Sequence, residues 1–144
     1  MRSDLKYVKC QVCQEVAKVL TREANTLREE KAKGPKHLPL TEHDILEKVE
    51  KVCDVETTEG EWLIKHDLQE TEDKLEMVFM DGNFGSCGTE CKTMQAACQG
   101  IVGDRDTDIA EALFAGQMKR AALSNFLCNS KPNGACLKKV GTDG

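Results

Sequence analysis

Apolar residues recur at steps of three and four over the first third of the chain, which predicts one long amphipathic helix from residue 5 to about residue 32. This stripe should face the protein core and is formed by Leu5, Val8, Val12, Val16, Val19, Leu20, Ala24 and Leu27. Cys10 and Cys13 lie three residues apart, so both side chains should flank the apolar face. Gly34 and Pro35 predict the end of the helix, because glycine suits the C-terminal cap and proline cannot continue a helix.

A second, shorter helix is predicted to start at Thr41. The Thr41 side chain can cap its N-terminus, and the negative charges of Glu42 and Asp44 favour the positive end of the helix dipole. Its apolar stripe is formed by Ile45, Leu46, Val49 and Val52. Cys53 lies near the end of this helix.

The pattern changes over residues 61–81, where two compact apolar segments are separated by polar residues. Trp62–Ile64 and Leu75–Met80 are short, and Glu70–Asp73 between them has turn character. Short apolar runs bounded by polar turns are typical of strands, so this region predicts an antiparallel β-hairpin inserted after the second helix. A helix through Trp62 is the alternative, and residues 81–86 are predicted as a loop.

Helical spacing returns after residue 87 and predicts a third helix that ends at Gly103. A fourth helix is predicted from residues 106–108 to Cys128. Its broad apolar surface consists of Ile109, Leu113, Phe114, Met118, Ala122, Leu123, Phe126 and Leu127. Residues 131–134 predict a turn that returns the chain to Cys136. The fold class is therefore mainly α, with four helices and one hairpin between the second and the third.

The chain has eight cysteines in 144 residues. An even cysteine count in a short chain indicates a disulfide framework and an oxidising compartment, so disulfides are expected to join these helices. The hydrophobic fraction of 40% is enough for one core, and no apolar run approaches the ~18 residues of a membrane span. The net charge is −5 and aromatic residues make up 4%, which argues against a nucleic-acid partner. Residues 1–4 lack the apolar core of a signal peptide, so for a luminal protein we expect such a peptide to have been removed.

Charge is unevenly distributed along the chain. Residues 1–40 carry nine Lys and Arg against five Asp and Glu, whereas residues 41–86 carry four against fourteen. This acidic middle can steer a partner, although a solvated surface is the simpler interpretation.

Two reactive roles for the cysteines are alternatives to disulfides. A redox-active Cys10–Cys13 pair would be expected to open a helix, where the dipole lowers the pKa of the nucleophilic thiol, but this pair lies inside the predicted helix. Cys10, Cys13, Cys87 and Cys91 could form a four-sulfur zinc site, but four other cysteines would then have no role. The three histidines show no metal-ligand spacing and are predicted to be exposed. The sequence therefore predicts no catalytic residue, no metal site and no cofactor.

The order of the cysteines on the helices resembles that of the saposin-like superfamily, most closely the canopy-type proteins and the saposin-B-type proteins of plants and algae. The matching stretches are Cys10–Cys13, Ala97–Val102 and the segment from Leu127 to Cys136. The resemblance implies a disulfide-stapled saposin-like bundle over residues 5–137, followed by a flexible tail over 138–144. The nested pairing that it implies is Cys10–Cys136, Cys13–Cys128 and Cys53–Cys98. Cys87 and Cys91 depart from the usual six, and we predict that they pair with each other.

Two non-enzymatic functions follow from this resemblance. Canopy-type members bind clients or act as co-chaperones in the endoplasmic reticulum lumen, whereas many saposin-like folds open to bind lipid. Scarce aromatic residues and a fourth bridge favour the first function, so we expect a luminal or secreted folding assistant whose partner is a client or chaperone protein, with lipid binding as the alternative. The hairpin is expected to pack one face on the helices and to offer an edge to the partner, through Trp62, Ile64, Val78 and Phe79.

Overall fold

The long N-terminal helix is the central element of the structure, a computed structural model that describes residues 2–34, 39–71, 74–80, 87–116, 119–129 and 135–136. Helix α1 spans Arg2–Lys33. Its predicted apolar stripe is buried from Val8 to Ala24, and Leu27 packs half-buried against the same core. The helix ends beside Gly34, as its sequence predicts.

Helix α2 spans Glu42–Lys51 and begins with a complete capping box. The Thr41 hydroxyl accepts a hydrogen bond from the Asp44 N–H at 3.1 Å, and the Asp44 carboxylate accepts one from the Thr41 N–H at 3.0 Å. The hydrogen bond from the Thr41 backbone lowers the pKa of Asp44. Ile45 and Val49 are buried, which confirms the predicted cap and the predicted apolar face.

A hairpin follows, but it begins later than the sequence predicts. Residues Glu61–Lys65 form a short 3-10 helix, strand β1 spans His66–Thr71 and strand β2 spans Lys74–Phe79. The two strands are antiparallel, with His66 opposite Phe79. The prediction of a strand at Trp62–Ile64 was wrong. Trp62 and Leu63 are both buried, and adjacent side chains of a strand would point to opposite faces, so a helical turn is what brings both into the core.

Three helices complete the bundle. Helix α3 spans Thr89–Val102, a 3-10 turn covers Gly103–Arg105, helix α4 spans Asp106–Phe114 and helix α5 spans Arg120–Cys128. The prediction of one continuous fourth helix was wrong, since the chain breaks between α4 and α5. Gly116 has a φ of 75°, the left-handed conformation that commonly ends a helix. The Arg28 side chain donates a hydrogen bond to the carbonyl of Leu113, which satisfies the last turn of α4.

The helices enclose one cluster of buried apolar side chains around α1. Helix α1 contacts α2, α3, α4, α5 and β2, and α2 also packs on α4. The largest fully buried side chains are Leu20, Ile45, Leu63, Met94, Ile109, Leu113, Leu123 and Leu127. Leu68 and Met77 attach the hairpin to this cluster. The structure is thus a mainly helical bundle with a small hairpin, as predicted.

All eight cysteines form disulfides. The pairs are Cys10–Cys136, Cys13–Cys128, Cys53–Cys98 and Cys87–Cys91. Two bridges join α1 to the C-terminal part of the chain, and one joins the end of α2 to α3. The fourth closes a short loop at the start of α3. These are the three pairs that the resemblance implies and the local fourth pair that we predict.

Several sequence predictions fall outside the described residues. They concern the side chain of Leu5, the position of Pro35, the loop at 81–86, Met118, the turn at 131–134 and the tail at 138–144.

Candidate functional site

Two of the four residues predicted to bind a partner are instead part of the core. Trp62 is only 5% exposed, and its indole Nε1 donates a hydrogen bond to the carbonyl of Val52 at 2.9 Å. Ile64 is half-buried and packs against the core cluster. The 3-10 helix turns both side chains inward, so Ile64 packs on the core, and Trp62 lines the groove described below with little exposed surface.

The other two predicted residues lie on opposite faces of β2. Val78 and Phe79 are neighbours in one strand, and successive strand side chains alternate between faces. Phe79 shares its face with Met77, which packs on the core, but Phe79 extends past the edge of the core and is 62% exposed. Val78 is half-buried on the other face. The structure therefore does not bring the four predicted residues together into one surface.

Phe79 instead borders a groove between α1, the 3-10 helix and the hairpin. We call this the hairpin groove; it has a volume of about 420 Å³. Val19 of α1, Trp62 and Met77 lie at its base, but Val19 and Trp62 are almost completely buried, so most of the accessible lining is polar. Its size lies within the usual range of ligand sites.

An aromatic ladder forms one side of the hairpin groove. The His66 ring lies between Trp62 and Phe79, with ring centroids 6.0 Å and 5.5 Å apart and nearly perpendicular planes. This edge-to-face geometry is the favoured one for aromatic pairs. His66 Nδ1 also lies 2.8 Å from the Trp62 carbonyl oxygen, where it can donate a hydrogen bond. The ladder thereby connects the exposed Phe79 ring to the rigid core, and half-buried His66 corrects our prediction of an exposed histidine.

Charged side chains form the rim of the groove. On α1, Lys18 pairs with Glu15 at 3.7 Å, and Arg22 lies one turn further along the helix. On the opposite side, Lys65 pairs with Glu61 at 3.2 Å. The groove is thus lined mainly by polar and charged groups, with the exposed ring of Phe79 at its border.

A partly buried ion pair holds the turn that leads into the groove. Glu59 is only 7% exposed, and its carboxylate accepts a hydrogen bond from Lys48 Nζ at 2.7 Å. Lys48 also lies 3.7 Å from Glu23 of α1. Burial acts to raise the pKa of Glu59, but the hydrogen bond and charge of Lys48 outweigh it, so this pKa lies below its usual value. The same hydrogen bond raises the pKa of Lys48.

These shifts predict a loss of stability in acid that depends on Glu59. Because the pKa of Glu59 is lower in the folded chain, its contribution is complete above the usual glutamate pKa and disappears as the pH falls through the lowered value. We expect Glu59→Gln to lower the free energy of unfolding by about 1.5–3 kcal/mol at pH 7, the typical contribution of a hydrogen bond to a charged group. The difference in stability between the two proteins should shrink as the pH falls below the usual glutamate pKa. Urea unfolding at pH 7, 5, 4 and 3 measures this.

Glu61→Gln is the matched control, because Glu61 pairs with a lysine at the surface. Its effect should be close to zero at every pH, as is usual for exposed pairs. Stability curves of Glu59→Gln and the unchanged chain that stay parallel down to pH 3 would contradict the role assigned to Glu59.

The cysteine pairing also decides between the alternatives for thiol chemistry. Cys10 and Cys13 bond to different partners, so they do not form a redox pair with each other. The four sulfurs of the alternative zinc site are distributed over three disulfides. Within the described ranges, no three His, Cys, Asp or Glu side chains come together as ligands for a metal ion.

Sequence reasoning missed most of the hairpin groove, including its α1 side. One signal was present, since Glu15, Lys18 and Arg22 follow each other at helical steps beside the apolar Val19. That spacing places the three charges along one side of the helix. It does not say that the hairpin packs next to them, because this depends on contacts between distant parts of the chain.

Four disulfides in a small domain are compatible with a secreted or luminal protein. In the part of the chain that the structure describes, no helix has both the length and the apolar character needed to cross a membrane. Comparison of the chain with protein-family models, with curated proteins and with solved structures finds no match.

Proposed function

We propose that this protein is a non-enzymatic protein-binding domain of the secretory pathway that acts as a folding assistant in the endoplasmic reticulum lumen. The observation that carries the proposal is the exposed ring of Phe79 at the edge of the hairpin groove. A phenylalanine ring that is 62% exposed offers apolar area that a partner can remove from water, at about 25 cal/mol per Å² buried.

The rigidity of this surface supports the proposal. Phe79 is backed by the aromatic ladder, and the ladder ends at Trp62 in the core. Residues that are held in place before binding lose less conformational entropy when they bind. A client or co-chaperone would therefore meet a preformed contact at Phe79.

The cysteine framework supports the resemblance to saposin-like proteins and the proposed luminal compartment. The nested pairs Cys10–Cys136, Cys13–Cys128 and Cys53–Cys98 are those implied by the resemblance to saposin-like and canopy-type proteins. With every cysteine bridged, the chain has no free thiol to act as a nucleophile. Both observations favour a binding function over thiol chemistry.

Lipid binding, the alternative, needs a larger apolar surface than the described residues expose. Among them, the large apolar side chains with high exposure are Phe79 and Phe114. The core side chains of α1 are enclosed by the other helices and the hairpin. We therefore favour a protein partner.

The test measures protection of an unfolded protein from aggregation. Reduced, denatured lysozyme is diluted into buffer with the chain in molar excess, and light scattering is recorded. We expect the chain to suppress scattering and Phe79→Ser to reduce this protection several-fold, because it removes the apolar contact. Phe114→Ser is the matched control, since Phe114 is 42% exposed on α4, away from the hairpin groove.

Two results would contradict the proposal. One is the absence of protection by the unchanged chain, and the other is an equal loss in both serine variants. A parallel flotation assay with anionic phospholipid vesicles tests the alternative. Co-flotation that Phe79→Ser abolishes, without any protection of lysozyme, would establish lipid binding instead.

A further inference from the structure

The Cys87–Cys91 bridge differs from the other three in what it holds together. It joins residues 4 positions apart at the start of α3, whereas the other bridges join residues 45, 115 and 126 positions apart. We propose that this bridge is reactive and accepts electrons from a pair of cysteine thiols of a polypeptide partner, which then carries the disulfide. This role goes beyond the proposed function and does not depend on Phe79.

The fold stabilises this bridge less than it stabilises the others. A cross-link that closes a short loop removes little entropy from the unfolded chain, so Cys87–Cys91 contributes the least to folding. The coupling is reciprocal, because a bridge that adds little to the stability of the fold gains equally little protection against reduction from it. Accessible bridges with little such protection are the ones that exchange readily.

The two sulfur atoms of the bridge differ in accessibility. Cys91 is only 6% exposed and belongs to the core cluster, whereas Cys87 is half-buried at the edge of that cluster. Gly88 follows Cys87, and a Cβ atom built at this glycine would meet no heavy atom of the described residues within 4 Å. The described part of the chain therefore leaves the space beside Cys87 open, and a thiolate from outside can reach Cys87 rather than Cys91.

Cys91 is placed to leave as a thiolate. It is the third residue of α3, after Gly88 at the N-cap. In α2 the third residue is Asp44, whose carboxylate accepts a hydrogen bond from the N–H of the N-cap residue Thr41. A Cys91 thiolate would occupy the equivalent position, and no side chain caps α3, so the N–H groups of its first turn are available to the sulfur. These groups and the positive end of the helix dipole offset the cost of burying the charge.

The exchange takes two steps in which atoms and electrons balance. A partner thiolate attacks Sγ of Cys87 and forms a mixed disulfide, while the Cys87–Cys91 bond breaks and its electron pair goes to Sγ of Cys91, which takes up a proton. The second partner thiolate attacks the partner sulfur of the mixed disulfide and displaces Cys87, which is then protonated. Two electrons and two protons thus pass from the partner dithiol to the bridge, and one partner disulfide forms per chain.

The oxidation state of the chain fits this direction of transfer. Every cysteine is bridged, so the chain enters such an exchange as the oxidised partner and not as a thiol nucleophile. The other three bridges connect separate elements of the bundle, so the fold can persist while this one opens. An oxidising compartment, with which four disulfides are compatible, is also where polypeptides convert their thiols to disulfides.

The first test follows all four bridges during reaction with a blocked peptide that carries two cysteines. The oxidised full chain is mixed with an excess of the reduced peptide at neutral pH, samples are alkylated over time, and peptide mapping by mass spectrometry gives the state of each cysteine. We expect one oxidised peptide per chain and alkylation of Cys87 and Cys91. The other three bridges should open at least ten-fold more slowly, and circular dichroism should show that the helices persist.

Two serine variants test which sulfur is attacked. Cys91→Ser leaves Cys87 as a single thiol, and Cys87→Ser, its matched control, leaves Cys91. Each variant is mixed with the same peptide in its disulfide form, and the mixed disulfide is measured by mass spectrometry. We expect Cys91→Ser to form it at least ten-fold faster, because Cys87 is the accessible sulfur.

A second matched pair tests the helix N-terminus. Gly88→Asp and Gly88→Asn both add a side chain that can cap α3, but only the first adds a negative charge. We expect Gly88→Asp to open the bridge at least three-fold more slowly than Gly88→Asn, because the carboxylate would repel the thiolate that leaves at Cys91. Equal rates in the two variants would exclude a thiolate at the first turn of α3 and with it the proposed direction of attack.

Three other results would overturn the inference. One is the absence of oxidised peptide, with all four bridges intact. Another is that Cys10–Cys136 opens first, since both of its cysteines are also half-buried. The third is a mixed disulfide that forms as fast on Cys91 as on Cys87.

Discussion

Replacing Cys13 and Cys128 together by alanine is expected to lower the free energy of unfolding by about 5 kcal/mol, the largest effect of any change considered for this chain. The Cys10–Cys136 bridge stays in place, so the loop that Cys13–Cys128 closes runs through that bridge and holds about 11 residues, for which the chain-entropy relation gives about 3 kcal/mol. Both cysteines are completely buried, so the lost packing between α1 and α5 adds about 2 kcal/mol. Guanidinium unfolding followed by circular dichroism measures the change.

The local bridge between Cys87 and Cys91 is the matched control. It joins residues only four positions apart, for which the same relation gives about 2 kcal/mol. The double alanine variant at these positions should therefore unfold at a clearly higher denaturant concentration than the variant at Cys13 and Cys128. Equal losses in the two variants would show that neither loop length nor burial distinguishes the contributions of these bridges.

Gly60→Ala is expected to cost about 3 kcal/mol, the upper range for inserting a methyl group into a packed site. A Cβ atom at this position would lie 2.0 Å from the carbonyl oxygen of Asp54, a contact that requires the backbone to move. The backbone is held there, because the Gly60 N–H donates to the Thr57 hydroxyl and the Leu63 N–H donates to the Gly60 carbonyl. The displaced turn should carry Trp62 with it, so its fluorescence should shift to the red.

Gly100→Ala is the control for this substitution. Gly100 lies in α3, and a Cβ atom there would have no heavy atom within 4 Å. Alanine is the better helix former, so this variant should gain about 0.5–1 kcal/mol. Thermal unfolding of the two variants should give shifts of opposite sign, and a small shift for Gly60→Ala would show that the turn is loosely packed.

The helices could be predicted because each has its own amphipathic pattern. The α1 stripe and the Thr41 cap are local features, and the structure contains both. The break between α4 and α5 also had a local signal in Gly116, but the apolar pattern continues across it and suggests one helix. Sequence periodicity thus locates buried faces well and helix interruptions poorly.

The candidate site was harder to predict because it depends on contacts between distant residues. The apolar character of Trp62 and Phe79 was equally visible in the sequence, yet one is buried and the other exposed. What separates them is the 3-10 helix after Gly60 and the register of the hairpin, and neither has a distinct sequence pattern. Arg22 lines the hairpin groove only because the hairpin packs beside α1, which the sequence pattern does not show.

Photo-crosslinking from position 79 tests most directly whether the hairpin groove is the contact surface. A photoreactive phenylalanine analogue is placed at Phe79 or, in a second protein, at Phe114, and each is irradiated with proteins of a luminal extract. The account predicts discrete adducts with luminal proteins from position 79 and none from position 114. Equal adducts from both positions, or adducts with lipid alone, would contradict it.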